Sequence, residues 1–560
     1  MENAVALSAV SALSLGALAW VLPRARQRIQ LSRAKHRSLA GHARMAKRIA
    51  SMIPGYAYDE AEFHSCDGAP QDVVARRRAS LQRLSALYGE RFARSAASTA
   101  LARQTISDLQ FTGSYRVPFQ FSPHLKQHAQ PGAVLTASRD VRVFDQDGNA
   151  FYDLTGSYGV NVFGTDFYKA CIDDAVAQVR DLGPVLGAYH PVVLDILPRL
   201  REISGLDEVS FHMSGTEAVM QAVRLARYHT RRTHLVRFCG AYHGWWDDVQ
   251  PGPGNPMPPS SQTLTLREMH ASTLRVLRKR KDIACVLVNP IQAMHPNRAA
   301  PSDSAMIDGI RSVHFDRQAY QSWLVALRQV CSERGIVLIF DEVFLGFRLA
   351  PGGAQGYYGV KADLVTYGKT LGGGWPVGVL CGKASLMKRF KEGRPVDLCF
   401  ARGTFNAHPA VMTSMNHFLR CLDKPEIQAI YREADSTWSR RSEAINTRLQ
   451  DCGFPLRFES MGSIWSLIYT QPSRYQWMFQ FYLRDEGIAL SWVGTGRFIF
   501  PLTYTDADFD QFVERVLRAA ERMRSDGWWW PSPHQDGKAM RRSVLLEMLR
   551  HKLGMKPTTA

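Results

Sequence analysis

No two of the nine cysteines stand in a CxxC pair. An odd, scattered set supplies neither a disulfide framework nor a zinc site, and it suits a reducing compartment; no metal is expected. Internal repeats and long low-complexity tracts are also missing, which excludes solenoid and disordered-tract readings. Acidic residues are in deficit, 51 Asp and Glu against 69 Lys and Arg, for a net charge of +18. Such an excess suits nucleic acid, an anionic membrane surface, or an uneven distribution, and the distribution decides. Arg24, Arg26, Arg28, Arg33, Lys35, Arg37, Arg44, Lys47, Arg48 and the run Arg76-Arg77-Arg78 precede residue 110. A second cluster, Arg541, Arg542, Arg550, Lys552 and Lys556, closes the chain, and the middle is less one-sided. With 560 residues the chain exceeds what one core holds, so at least two domains are expected.

Charge is absent from Ala4 to Leu22, a run of 19 residues rich in Ala, Leu and Val. As a helix rising about 1.5 Å per residue, it nearly matches a hydrocarbon core of roughly 30 Å. Basic residues follow the run and only Glu2 precedes it. Residues 1–22 are therefore expected to be a single membrane anchor that leaves the catalytic part in the cytoplasm, with Trp20 at the interface. Two alternatives stand beside it. Ala17-Leu18-Ala19 could serve as a signal-peptide cleavage site, although the positive charge then falls on the wrong side of the run. Ser8, Ser11 and Ser14 also suit a helix lying along a surface. Residues 23–110 read as a basic helical extension, with Leu81, Leu84, Leu87 and Tyr88 at helical spacing. A membrane-surface or dimer-supporting role is preferred there to nucleic-acid binding.

The remainder is patterned as α/β. Val141–Asp153 predicts two short strands around an Asp147-Gly148-Asn149 turn. Apolar runs at Val286–Val288 and Ile336–Phe340 alternate with helical patterns at Glu217–Thr230 and Gln318–Arg334, which implies a mostly parallel central sheet flanked by helices. Beyond about Val411 a smaller α+β unit is expected, with strands near Ile464–Tyr469 and Phe498–Phe500 and a helix at Asp506–Met523. The boundaries drawn are 111–186 and 411–527 for the small domain, 187–410 for the large one, and 528–560 for a basic amphipathic tail, able to lie on a membrane or on a partner subunit.

Four short pieces carry chemistry. Asp341 follows the apolar run Ile336–Phe340, where a carboxylate is costly unless it meets a positive group; a helix cap or turn is the plainer reading. Lys369 lies in Thr366-Tyr-Gly-Lys-Thr-Leu-Gly-Gly-Gly-Trp-Pro-Val-Gly378, where glycines permit close approach and desolvation favours the free amine. No Lys-Ser or Lys-Thr follows the glycines, so the phosphate-loop spacing is missing. Ser214-Gly215-Thr216 opens a helix and could cradle a phosphate or serve as an ordinary N-cap. Tyr242-His243-Gly244 sets an aromatic in a tight loop, where it could stack on a ring or pack in the core.

Taken in order, these pieces resemble the class-III aminotransferases, which use pyridoxal phosphate (PLP) on fold type I. The strongest stretches are Ser214–Arg227, Gly240–Gly244, Asp341–Arg348 and Gly352–Gly378, and the last is very like the glutamate-1-semialdehyde aminomutase branch. The resemblance implies that Lys369 binds PLP as a Schiff base and shuttles protons, and that Asp341 pairs with the pyridine nitrogen. It further implies that Val343 and Tyr242 cover the two ring faces, with His243 beside them, and that Ser214, Gly215 and Thr216 bind the phosphate. Thr404 looks like the threonine that reaches the phosphate of the neighbouring subunit, which implies a homodimer.

Departures bear on the substrate. Asn289-Pro290-Ile291-Gln292 stands where the family usually has Glu-Pro. Tyr115-Arg-Val-Pro-Phe-Gln-Phe-Ser122 has no Arg after its Val-Pro, where the aminomutase branch has the arginine that holds its substrate's carboxylate. Arg497 resembles the carboxylate-binding arginine of amine and ω-amino-acid transaminases, against the reading of a surface strand residue, and Tyr158 is a further candidate substrate contact. The expectation is an aminotransferase acting on a small amino donor and a keto or aldehyde acceptor, lipophilic if the anchor is real, with Gln250–Pro259 as a stiff gate. The alternatives are a 2,1-aminomutase and a non-catalytic membrane or nucleic-acid binder on the same scaffold.

Overall fold

The computed structural model describes residues 2–36, 43–52, 55–107, 115–250, 260–295, 297, 314–491, 496–531 and 536–555, without the side chains of 2–17, 43, 44, 46, 47 and 50. The gate expected at Gln250–Pro259 lies outside them but for Gln250. Three short strands come first: β1 (Leu135–Arg139), β2 (Arg142–Asp145) and β3 (Ala150–Asp153). β2 and β3 pair antiparallel about the expected turn, and β1, which the pattern did not announce, pairs antiparallel with β2.

The large sheet is built from β4 (Glu208–His212), β5 (His234–Phe238), β6 (Thr263–Leu266), β7 (Ile283–Val288), β8 (Val337–Asp341), β9 (Leu364–Gly368) and β10 (Gly378–Gly382). Their order is β4-β10-β9-β8-β7-β5-β6, parallel except at β10, which runs antiparallel to both its neighbours. Every residue of β7, β8, β9 and β10 is buried, as continuous apolar runs require when helices cover both faces. Alternation splits the strands between two cores. Leu287, Ile339, Leu364 and Leu380 meet Val219, Ala222 and Val223 of the helix Gly215–Thr230. Val286, Leu338 and Phe340 join the larger cluster with Leu324 and Leu327 of the helix Arg317–Arg334. That second helix begins at Asp316, whose carboxylate accepts from Ala319 N–H at 2.9 Å, and ends at Gly335 in the left-handed region.

A three-stranded antiparallel sheet, Leu456–Met461, Ile464–Tyr469 and Arg497–Ile499, packs with the helices Pro425–Asp451 and Asp506–Ser525. Ile488–Ala489 adds in parallel to β3 and joins the front and back of the chain. The extension is fastened to this part. In the helix Gln71–Arg91, Leu81, Leu84 and Tyr88 are buried, and Trp528 donates from Nε1 to Ser80 Oγ at 3.0 Å. At the amino end the backbone is helical from Glu2 to Ala34. Its last turn docks on the large domain, where Ala34 is buried and its carbonyl accepts from Arg267 N–H at 2.8 Å. The membrane span expected at Ala4–Leu22 rests mostly on side chains outside the described residues; among those described, no helix is long and apolar enough to cross a membrane.

Beside that docking point Glu268 is 1% exposed. Its Oε1 accepts from Tyr320 Oη at 2.7 Å, and Oε2 has no partner among the described residues. Burial pushes its pKa from 4.5 up to about 8. The folded chain therefore holds a proton that the unfolded chain releases. Stability from this group is complete below the unfolded value and is lost as pH rises through the folded one. Glu268→Gln is accordingly expected to raise Tm at about pH 8.5 and leave it unchanged near pH 4, below the unfolded value. Thermal melts at both values check this; an equal shift at both would contradict it.

Candidate active site

The site lies where β8 and β9 end and the helix Gly215–Thr230 begins. Asp341 is the last residue of β8 rather than the first beyond it, and it is 4% exposed. Its Oδ2 accepts from His243 Nδ1 at 2.8 Å, and Oδ1 accepts from Val343 N–H at 3.2 Å and Thr366 Oγ1 at 3.3 Å. A carboxylate offers about four acceptor positions, so one remains open to a further donor. His243 is fully enclosed, and burial lowers its pKa despite the Asp341 charge. A neutral ring donating from Nδ1 leaves Nε2 bare, and Nε2 has no partner among the described residues.

Lys369 is the first residue beyond β9 and sits at φ +49°, a region costly for a side-chain-bearing residue. Burial lowers its pKa below 10.5, with the Asp341 carboxylate pulling the other way. The net shift favours the neutral amine, which is the nucleophile an aldehyde needs. The stem of Lys369 lies against Gly159: a Cβ there would come 3.2 Å from Lys369 Cδ and 2.6 Å from the Phe344 ring.

Ser214 caps the helix, its Oγ accepting from Glu217 N–H at 3.3 Å, while Glu217 reaches back to Met213 N–H at 2.9 Å. Capping and anion binding are compatible here. The cap engages the third amide, and the first-turn amides of Gly215 and Thr216 take no protein acceptor among the described residues. Close contacts tie this turn to the segment after β8 and to the Tyr242 loop. A Cβ on Gly215 would sit 2.6 Å from Val343 Cγ1, and one on Gly244 2.6 Å from Thr216 Oγ1. Ser214, Gly215, Thr216, His243, Asp341, Val343 and Lys369 are thus one contiguous group.

Tyr242 is 60% exposed, so it is not core packing. Its loop is held from below by the segment that departs from the family pattern. Asn289 Nδ2 donates to the Tyr242 carbonyl at 2.9 Å, and Gln292 Nε2 donates to that of Gly240 at 3.0 Å. The charge missing at Asn289 is replaced by neutral amide donors. Thr404 is exposed and, among the described residues, makes no contact with the group; in its loop the Phe400 carbonyl accepts from Arg224 of the helix Gly215–Thr230 at 2.7 Å.

Ser157 and Tyr158 both hold positive φ, 45° and 56°. Their turn spans from Lys369, through Gly159, to the strand Arg497–Ile499, through Gly156, whose Cβ would meet Ile499 Cγ2. Tyr158 is 44% exposed. Arg497 is half-buried, burial lowers its pKa, and it has no acidic or carbonyl partner among the described residues. Tyr115–Ser122 packs instead against the extension, with Tyr58 N–H donating to the Gln120 carbonyl at 2.9 Å.

Sequence reasoning left three residues without a role: Thr366, Gly159 and Arg348. Buried Arg348 donates to Phe500 O and Asn161 O, both at 2.7 Å, and to Ser463 Oγ at 3.1 Å, so it ties the turn to the small sheet. Its signal was an arginine ending the apolar stretch Phe344–Phe347.

An open carboxylate position, two first-turn amides without a protein acceptor among the described residues and an amine shifted toward neutrality are the set of groups that a pyridinium, a phosphate and an aldehyde would meet. The comparisons agree. The family model Aminotransferase class-III matches residues 125–520. The glutamate-1-semialdehyde 2,1-aminomutase of Citrifermentans bemidjiense is 32% identical over 355 residues, 60% of this chain and 76% of that protein. That of Geotalea daltonii is 30% identical over 405 residues, 68% and 88% respectively. A solved transaminase with PLP bound shares the fold at TM-score 0.62 and 24% identity, covering 77% of this chain and 98% of that one. The chain belongs to the class-III aminotransferases, PLP-dependent enzymes of fold type I.

Proposed function

We propose that the enzyme moves an amino group between two separate small molecules, from an amino donor to a keto or aldehyde acceptor. The observation that supports this most is Arg497. Arg497 lies on the small-sheet strand that the 156–159 turn links to Lys369, it has no acidic or carbonyl partner among the described residues, and no Arg follows Val117-Pro118 in the stretch matched to the aminomutase arginine.

When bound, PLP supplies a ring that withdraws electrons from the substrate's α-carbon. Lys369 would hold its aldehyde carbon, Asp341 the proton of its ring nitrogen, and Ser214, Gly215 and Thr216 its phosphate, with Val343 and Tyr242 against the faces. His243 fixes the Asp341 carboxylate, so the negative charge stays where the ring nitrogen would meet it. In its neutral form the Lys369 amine would take the proton from the substrate's α-carbon and return it two atoms away, at the cofactor's aldehyde carbon. Arg497 offers a bidentate fork to a carboxylate, and Tyr158 flanks the approach. Thr404, exposed beside Phe400 (63% exposed) and Phe405 (51%), suits a site completed across a homodimer. A lipophilic acceptor rests on the Ala4–Leu22 sequence alone.

Removing Arg497 is expected to raise KM for a carboxylate-bearing donor by about tenfold to a hundredfold, as loss of a charge-assisted contact does, and to leave amines without a carboxylate unaffected. Steady-state kinetics of Arg497→Ala on both substrate classes check it. The second reading is a 2,1-aminomutase, favoured by the names of the relatives. An isotopically labelled amino donor separates the two. Label arriving on an added acceptor supports transfer; isomerisation of one amino aldehyde with no second substrate supports the mutase.

A further inference from the structure

The C-terminal helix Gly537–Lys552 is oriented contrary to its composition. Its one acid, Glu547, faces inward and accepts from Tyr58 Oη at 2.7 Å, Tyr56 Oη at 2.9 Å and Arg474 Nη2 at 2.5 Å. Met540 is buried on the same side. This inward clamp fixes the helix's rotation, and the opposite face carries its leucines into solvent. Leu545 is 47% exposed, Leu546 52%, Leu549 43% and Leu553 72%. Spacings of three and four residues put them in one stripe. Within Gly537–Lys552 the exposed charged residues around that stripe are all basic, Lys538, Arg541, Arg542, Arg550 and Lys552, and the exposed acid Asp536 is the N-cap, at the end away from the leucines.

A second helix extends this surface. Ala43–Met52 has Arg44, Lys47 and Arg48 and no acid, and it presents Met45 and Met52 at 55% and 50% exposure. Lys552 Nζ donates to the Met52 carbonyl at 2.7 Å, which brings the two ends of the chain side by side.

We infer that the outward face of Gly537–Lys552, with the adjoining Ala43–Met52, is a docking surface for an anionic lipid bilayer. Leucines and methionines sink to the headgroup boundary, and the flanking lysines and arginines meet lipid phosphates and carboxylates. Charge decides the occupant. A second copy would set basic against basic, and nucleic acid has no use for an outward leucine stripe. The surface is distinct from the Ala4–Leu22 run, and it does not depend on the proposed substrate chemistry.

The Ala4–Leu22 run could itself retain the chain on vesicles, so sedimentation alone does not decide. A probe on the helix does. Leu549→Cys in the full chain, on a Cys452→Ser background that removes the exposed cysteine, accepts an environment-sensitive fluorophore. Phosphatidylcholine vesicles with about 30% phosphatidylserine should raise and blue-shift its emission several-fold. Pure phosphatidylcholine should do so weakly, and high salt or Lys538→Glu with Arg542→Glu should abolish the change. Unchanged emission with anionic vesicles, even on sedimenting protein, would overturn the inference. So would a change produced by raising protein concentration without lipid, which points to a second copy, or by an oligonucleotide alone.

Discussion

Replacing Lys369 with alanine is expected to lower turnover roughly a hundredfold to ten-thousandfold, the range that a positioned proton-transfer group contributes. The group sits beyond β9 with its amine shifted toward neutrality by burial, so a free base is available below the pH at which an ordinary lysine supplies one. Its side chain is only partly enclosed and its backbone is fixed by β9 and the following turn. The variant should therefore fold and melt as the parent does. A small primary amine added to Lys369→Ala should restore part of the lost rate, because the proton acceptor, and not the fold, is what was removed. Single-turnover kinetics with and without the amine check this; undiminished turnover in the variant would contradict the role.

The second large effect is on stability. Arg77 is fully buried and donates to Asp67 Oδ1 and Oδ2 at 2.8 and 2.7 Å, to the His64 carbonyl at 2.8 Å and to the Gly527 carbonyl at 2.9 Å. Its guanidinium lies 4.3 Å from the centroid of the Tyr475 ring. These contacts join the extension to the last turn of the small domain. Arg77→Ala would leave the Asp67 carboxylate, 7% exposed, without its cation, a loss of about 3–5 kcal/mol. Arg77→Met combined with Asp67→Leu should recover most of it, since no unpaired charge remains. Denaturant titration followed through Trp528, which lies over the same cluster, measures both. A loss below about 1 kcal/mol in Arg77→Ala would place this pair among ordinary surface bridges.

The site was legible in the sequence because its pieces are local. Ser214 with Glu217 announces a helix start, and the run Ile336–Phe340 announces a buried strand. Glycines cluster where two backbones meet, as at Gly378, whose Cβ would collide with the Ser214 carbonyl. What stayed hidden is long-range. Arg77 and Gly527 are far apart in the chain, and nothing in Arg76-Arg77-Arg78 marks the middle residue as the buried one. Ile488–Ala489 is too short for a period-2 signal, yet it pairs with β3. Asp341 closes β8 from within because His243 and Thr366, drawn from other segments, satisfy its carboxylate. The tail's amphipathic pattern was visible, but its direction was not: the inward side is set by Arg474 and two tyrosines distant in sequence.

The proposed chemistry rests on one covalent attachment, at Lys369. Protein loaded with pyridoxal phosphate, reduced with borohydride and digested, should yield a single phosphopyridoxyl-modified peptide, the one containing Lys369. Modification of a different lysine, or none in protein that has taken up the cofactor, would contradict it.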